Sequence, residues 1–257
     1  MYHDVVIGGD FESSGFPGRM MRRYKLPVEL FQRHLEAMAG ARSEPPSLIQ
    51  GSVEQIEGPR PWVLTFDDGG SSAFAIVAEC LERQGWRGHF FMVGRRINKP
   101  GFLTGGQIRD LRARGHVIGS HSYSNPDPMS SLSRDQLAQE WRRSSQMLAD
   151  LLGEPVTSGS VPGGFYRRRV ALAAAQVGMR AIFTSNPTDR PHLVAGCWVI
   201  GRYTMLNETA PEVAAGLVSG HVWPRLRQGL SWKTRGVAKM LGGPLYLRAR
   251  RYLLERG

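Results

Sequence analysis

Val63-Leu64-Thr65-Phe66-Asp67-Asp68-Gly69 is the segment that most constrains what this chain can fold into. Its first four residues read as a short buried strand, which runs straight into two adjacent carboxylates and a glycine turn. The aspartates are therefore expected at the carboxyl end of a strand, where α/β barrels place their ligands. Neighbouring side chains leaving a strand point to opposite sides, so one carboxylate can hold a cation while the other handles a proton. Taken alone, an Asp-Asp-Gly triplet is more often a solvated turn than a site.

Further along, His121-Ser122-Tyr123-Ser124-Asn125-Pro126 follows another apolar run, His116 to Gly119. A carboxylate with one or two imidazoles is a donor set for a divalent ion that keeps positions open for water and substrate. The stretches between repeat a strand-then-helix pattern. Pro27 to Met38 carries Phe31, Leu35 and Met38 on one helical face and is expected to close at Gly40. Residues 41–60 read as a loop, and Ile76, Val77, Cys80 and Leu81 recur at helical spacing. His89 to Val93 reads as a strand and Thr104 to Arg114 as a helix. Ser133 with Gln136 predicts a capping box opening a helix whose inward face includes Leu137, Trp141, Leu148 and Leu151. Val170 to Val177 predicts a helix, and Ala181 to Thr184 and Cys197 to Ile200 predict strands. Such alternation implies a parallel sheet with helices outside it.

Three segments, TFDDG, GHVIGSHSYSNP and SVPGGFY, together make the chain similar to the polysaccharide deacetylases of carbohydrate esterase family 4. The resemblance spans roughly residues 1 to 220. It implies a distorted (β/α) barrel of about seven strands and a metal-dependent hydrolase that removes acetyl groups, most often N-acetyl, from amino sugars in polymers or glycoconjugates. On that resemblance Asp67 is the general base, and Asp68 and His121 are metal ligands. Zinc comes first as the ion, with cobalt, nickel and manganese open, since oxygen and nitrogen donors exclude an all-sulfur preference.

The chain departs from the family pattern at two places. The second histidine of the family's H-S-x-x-H-P falls on Asn125, whose amide oxygen is a neutral and weaker donor; Asp127 is a further oxygen nearby. Where the family commonly has R-x-P-x-G, this chain has Ser160-Val161-Pro162-Gly163-Gly164, so the arginine that orients the base is absent. Arg202, after the run Cys197 to Ile200, is the candidate replacement, and Gly163 matches the position whose backbone N–H meets the developing oxyanion. Tyr2-His3-Asp4-Val5-Val6 resembles the Y-H-x-V strand of a circularly permuted, exopolysaccharide-acting branch, which makes His3 the candidate general acid and His221 the alternative. The two departures also allow a sugar-binding protein without turnover.

A length of 257 residues with 41% hydrophobic content suits one barrel domain, residues 1–224, followed by a basic helical extension, residues 225–257. That extension holds nine Lys or Arg and one acid, Glu255, and so +8 of the net +11. Interleaved with Trp232, Leu241, Tyr246, Leu247, Tyr252 and Leu253, it reads as helices packed on the barrel, or as an amphipathic patch for an anionic membrane or acidic polymer. A basic interaction protein using the barrel as scaffold follows from the same feature. No nucleic-acid motif is present. The first ten residues lack a basic, apolar leader and no run reaches the length of a membrane span, so a cytoplasmic protein with peripheral membrane contact is expected. Cys80 and Cys197 are expected as reduced thiols.

Overall fold

The computed structural model describes residues 1–49, 61–164 and 166–232. The expected loop therefore falls within it only up to residue 49, and most of the basic extension, 233–257, lies outside the described residues.

The chain opens with two short parallel strands, β1 (Asp4–Val6) and β2 (Lys25–Pro27), paired Asp4 to Lys25. Helix α1 (Val28–Ala41) follows directly and runs through Gly40, where the sequence predicted a stop, before Arg42 turns extended. Then come β3 (Thr65–Phe66), a π-helical turn over Ala73–Ala78, α2 (Glu79–Arg83), β4 (His89–Met92), α3 (Gly105–Ala113) and β5 (Val117–Ser120). The second half has α4 (Arg134–Leu152), β6 (Ser158–Ser160), α5 (Arg168–Gln176), β7 (Ala181–Phe183), β8 (His192–Val194), β9 (Cys197–Ile200) and α6 (Pro211–Val218). The capping boxes at Thr104/Gln107 and Ser133/Gln136 are both formed, each satisfying a first-turn N–H that the helix itself leaves unpaired.

Seven strands form one sheet in the order β3-β4-β5-β6-β7-β9-β8. All neighbours are parallel except β8 on β9, an antiparallel edge hairpin that the sequence pattern did not separate from its neighbours. The sheet curls into a distorted β/α barrel until Arg202, just past β9, reaches Asp67, just past β3. Residues 1 and 2 fill the remaining gap. The Tyr2 N–H donates to Thr65 O and Tyr2 O accepts from Asp67 N–H, while Met1 O accepts from Met205 N–H. Fully buried Tyr2, Phe31, Phe66 and Phe90 stack beneath this seam.

One close approach fixes the sheet under the site. A Cβ on Gly119 would stand 2.5 Å from the Phe91 ring and 2.8 Å from Ser158 O, so β5 needs glycine there. Helical residues 222–232 run across the expected boundary at 225 and hold to the barrel: Arg225 pairs with Asp189 at 2.6 Å, and Gln228 exchanges two hydrogen bonds with the Thr204 backbone. Among the described residues no helix is long and apolar enough to cross a membrane. Cys80 and Cys197 are both buried free thiols.

Candidate active site

Asp67, Asp68, His121 and Arg202 converge at the carboxyl end of the sheet, each 4% exposed. Asp67 leaves β3 in line with the strand, whereas Asp68 takes φ +76, a left-handed conformation unusual for a residue with a Cβ. Strain of this kind costs about 1–3 kcal/mol and collects at functional sites. In this conformation the Asp68 carboxyl lies 3.4 Å from His121 Nε2.

Arg202 grips Asp67 with both arms of its guanidinium, Nη1 to Oδ1 and Nη2 to Oδ2, each 2.8 Å. The other donors of the fork go to Thr184 O (Nε, 3.1 Å), Thr65 Oγ1 (Nη1, 3.1 Å) and Ser160 Oγ (Nη2, 2.7 Å), while the Ser160 hydroxyl donates to Asp67 Oδ2 at 3.0 Å. Ser160, at the start of the third motif, thus links the pair instead of supplying a guanidinium itself. Burial pushes the Asp67 pKa up, but Arg202 above all, with His121 and His3, outweighs it and holds the carboxyl well below the usual range. Asp67 is fixed in place and ionised.

His121 has its Nδ1 3.1 Å from Ser160 O. A carbonyl oxygen can only accept, so Nδ1 carries the proton, and burial, the largest influence on this imidazole, keeps the ring neutral. Nε2 is then a bare lone pair 3.4 Å from Asp68 Oδ1. Asp68 has no hydrogen-bond donor among the described residues, and burial first, then the charges of Asp67 and Asp4, push its pKa well above the usual carboxylate value. A carboxyl and a bare imidazole nitrogen facing each other in a buried site, with no ammonium or guanidinium between them, fit a divalent cation.

The remaining candidates are arranged less tightly. His3 keeps one edge toward solvent, stacks 4.7 Å from the Tyr24 ring and has a buried Nδ1 without a partner. Burial lowers its pKa to about 4, against an upward pull from Asp67 and further lowering by His121 and Arg202, so it lies within electrostatic reach of all three. Asn125 is half-buried with φ +56, on a loop held by Glu140, which accepts from Tyr123 N, Ser124 N and Ser124 Oγ; its side chain makes no hydrogen bond among the described residues. No three His, Cys, Asp or Glu side chains gather as a ligand set among the described residues. Gly163 sits in the turn Pro162–Gly164 after β6 with φ +65, a conformation that favours glycine. His221 is exposed beyond α6, its N–H bonded to Gly216 O, and is not among the groups acting on Asp67.

Known proteins resemble the chain in sequence and in fold. Residues 55–182 match the family model for polysaccharide deacetylase. The Bacillus subtilis protein YxkH is 22% identical over 191 residues, 73% of this chain and 63% of that protein. Chitin deacetylase 1 of Cryptococcus neoformans var. grubii is 23% identical over 211 residues, 70% of this chain and 44% of that protein. The chain thus spans less than two thirds of the length of either relative. Among solved structures, the Streptococcus pyogenes deacetylase PplD in complex with acetate superposes with a TM-score of 0.67 at 18% identity, covering 82% of this chain and 92% of that one, a likeness of fold. By its motifs, its barrel and the matched residues, this chain carries a polysaccharide deacetylase domain.

Proposed function

We propose that this protein is a metal-dependent hydrolase that removes acetyl groups, N-acetyl foremost, from an amino sugar in a polysaccharide or glycoconjugate. The observation that carries the reading is the pairing of an ionised, immobilised Asp67 with the unmatched Asp68/His121 acceptors beside it. Asp68, His121 and the Asn125 amide oxygen would hold the ion, zinc first among the candidates. When bound, it polarises the acetyl carbonyl and lowers the pKa of water.

The chain's own groups do the rest. Asp67 accepts a proton from the attacking water, whose oxygen bonds to the carbonyl carbon. The Gly163 N–H is the donor for the oxyanion that develops there. As the C–N bond breaks, the nitrogen takes a proton from His3, leaving acetate and a free amine. His3 is neutral at rest, so the proton it delivers is gained within the cycle, and the one Asp67 removed from water is the source that balances the reaction. Chitin, in the name of the Cryptococcus relative, is the first substrate class to try. Asp68→Asn combined with His121→Ala is expected to abolish stoichiometric zinc binding in calorimetry; undiminished zinc affinity would move the ion elsewhere. Metal binding without turnover would instead favour the sugar-binding reading that Asn125 suggests.

We further propose that the peripheral contact expected from the sequence is made through the helix that follows α6. Val222, Trp223, Leu226 and Leu230 are 67%, 75%, 53% and 62% exposed on helical residues 222–232, at the start of the nine-cation extension. An exposed apolar helix face in a segment whose sequence is rich in Lys and Arg suits an anionic lipid surface, with each basic residue near it adding about 1 kcal/mol. The variant Trp223→Ala/Leu226→Ser/Leu230→Ser is expected to lose at least about tenfold in co-sedimentation with phosphatidylglycerol vesicles. Acetate release from a small oligosaccharide stays as it was. Unchanged vesicle binding would remove this surface from the account.

A further inference from the structure

Two buried charges lie beside the site without entering the reaction. Asp4 and Lys25, each 1% exposed, face each other across the β1/β2 pair. Burying an ammonium and a carboxylate is costly unless they are matched and hydrogen-bonded, so their placement calls for a reason. Lys25 Nζ donates to Phe11 O at 2.5 Å and Ser14 O at 2.6 Å. Asp4 Oδ1 accepts from Ser14 Oγ at 2.6 Å and from Ser72 Oγ at 3.0 Å, while its Oδ2 is buried without a partner. Ser72 closes the network by accepting from Val5 N and taking Ser14 Oγ on its own N–H.

This network grips the catalytic turn. A Cβ on Gly70 would stand 1.9 Å from Asp4 Oδ1, and one on Gly15 1.9 Å from Asp4 Oδ2, so the carboxylate occupies a slot between two glycine backbones. One of those glycines is two residues past Asp68. The N-terminal strand also meets the turn directly: Tyr2 pairs in parallel with Phe66, and Tyr2 O accepts from Asp67 N–H. Arg202 pairs with Asp67, and Lys25, in register with Asp4, brings one ammonium to the carboxylate that sits against Gly70, two residues past Asp68.

We infer that Asp4 and Lys25 are positioning residues for the metal site: they clamp the Asp67–Gly70 turn onto the N-terminal strand and set the charge that a cation meets at Asp68, Asp4 strengthening its hold and Lys25 weakening it. The inference rests on the metal-dependent reading above. It separates from a purely structural role by sign, because a structural role predicts that both substitutions weaken the site.

The test is zinc titration calorimetry on the metal-stripped full chain, with thermal melts of each apo variant. Asp4→Asn keeps the shape and the serine hydrogen bonds and is expected to weaken zinc binding by roughly tenfold. Lys25→Met is expected to tighten it several-fold, with Lys25→Gln standing in if that variant does not fold, and Lys25→Arg is expected to leave it as in the wild type. Shifts of the same sign in the Asp4 and Lys25 neutral variants, or no shift in either, overturn the inference and leave the functional reading standing. A wild-type protein that binds no zinc overturns both.

Discussion

Asp67→Asn is expected to lower acetate release by about a thousandfold, the order that a positioned general base contributes. The substituted amide has the shape of the carboxylate but cannot take the proton from water. Its neighbours stay in place: Ser160 and Thr65 still hold Arg202, and Asp68 and His121 are untouched. Zinc affinity therefore changes far less than activity. A variant that kept activity within tenfold would show that another group removes the proton, and one that lost zinc in proportion to activity would make Asp67 a ligand instead of a base. Because Arg202 keeps Asp67 ionised well below the usual carboxylate range, the activity of the wild type should not fall on an Asp67 titration anywhere near neutral pH.

The second large effect is structural. Arg202→Met removes a guanidinium whose five hydrogen bonds reach Asp67, Ser160, Thr65 and Thr184, all buried. Breaking one side of a buried ion pair costs about 3–5 kcal/mol, because the partner charge is left without compensation. For a domain of this size that lowers Tm by roughly 10 °C. Adding Asp67→Asn to Arg202→Met removes the stranded charge, so the double variant should melt above the single one; a double variant that melts lower still would place the energy in packing against Phe91 and Phe183, whose rings flank the guanidinium. The depressed Asp67 pKa contributes stability that is fully present above the unfolded carboxylate value of about 3.9 and is lost as pH falls through the folded one. Without Arg202, burial raises the Asp67 pKa, so the gap between wild type and Arg202→Met should be widest at and above neutral pH and narrow as acid protonates the stranded carboxyl.

How much of this was legible in the residues depended on distance along the chain. The strand ends at Asp67 and His121 and the capping box at Ser133/Gln136 could be read because turn and cap chemistry are local. The Asp67–Arg202 contact spans 135 residues and could be suggested only by the arginine missing from the third motif. Ser160, named as the start of that motif, gave no local sign that its hydroxyl would link the two. The buried Asp4–Lys25 pair was not foreseen at all, since Lys25 on a three-residue strand looks like any surface lysine until β1 and β2 are seen to pair beneath the 8–18 loop. Gly40 did not stop α1, which packs along α6 and runs one residue further, to Ala41. The antiparallel β8 escaped because a three-residue edge strand with two exposed residues carries too little pattern.

The measurement that bears most directly on the account is acetate release from N-acetylated oligosaccharides by metal-stripped protein, with zinc restored, run beside Asp67→Asn. The account predicts no release without the ion, release when zinc is returned, and loss of that release in Asp67→Asn with zinc still bound. Equal release by the stripped and restored proteins, or undiminished release by Asp67→Asn, would contradict it.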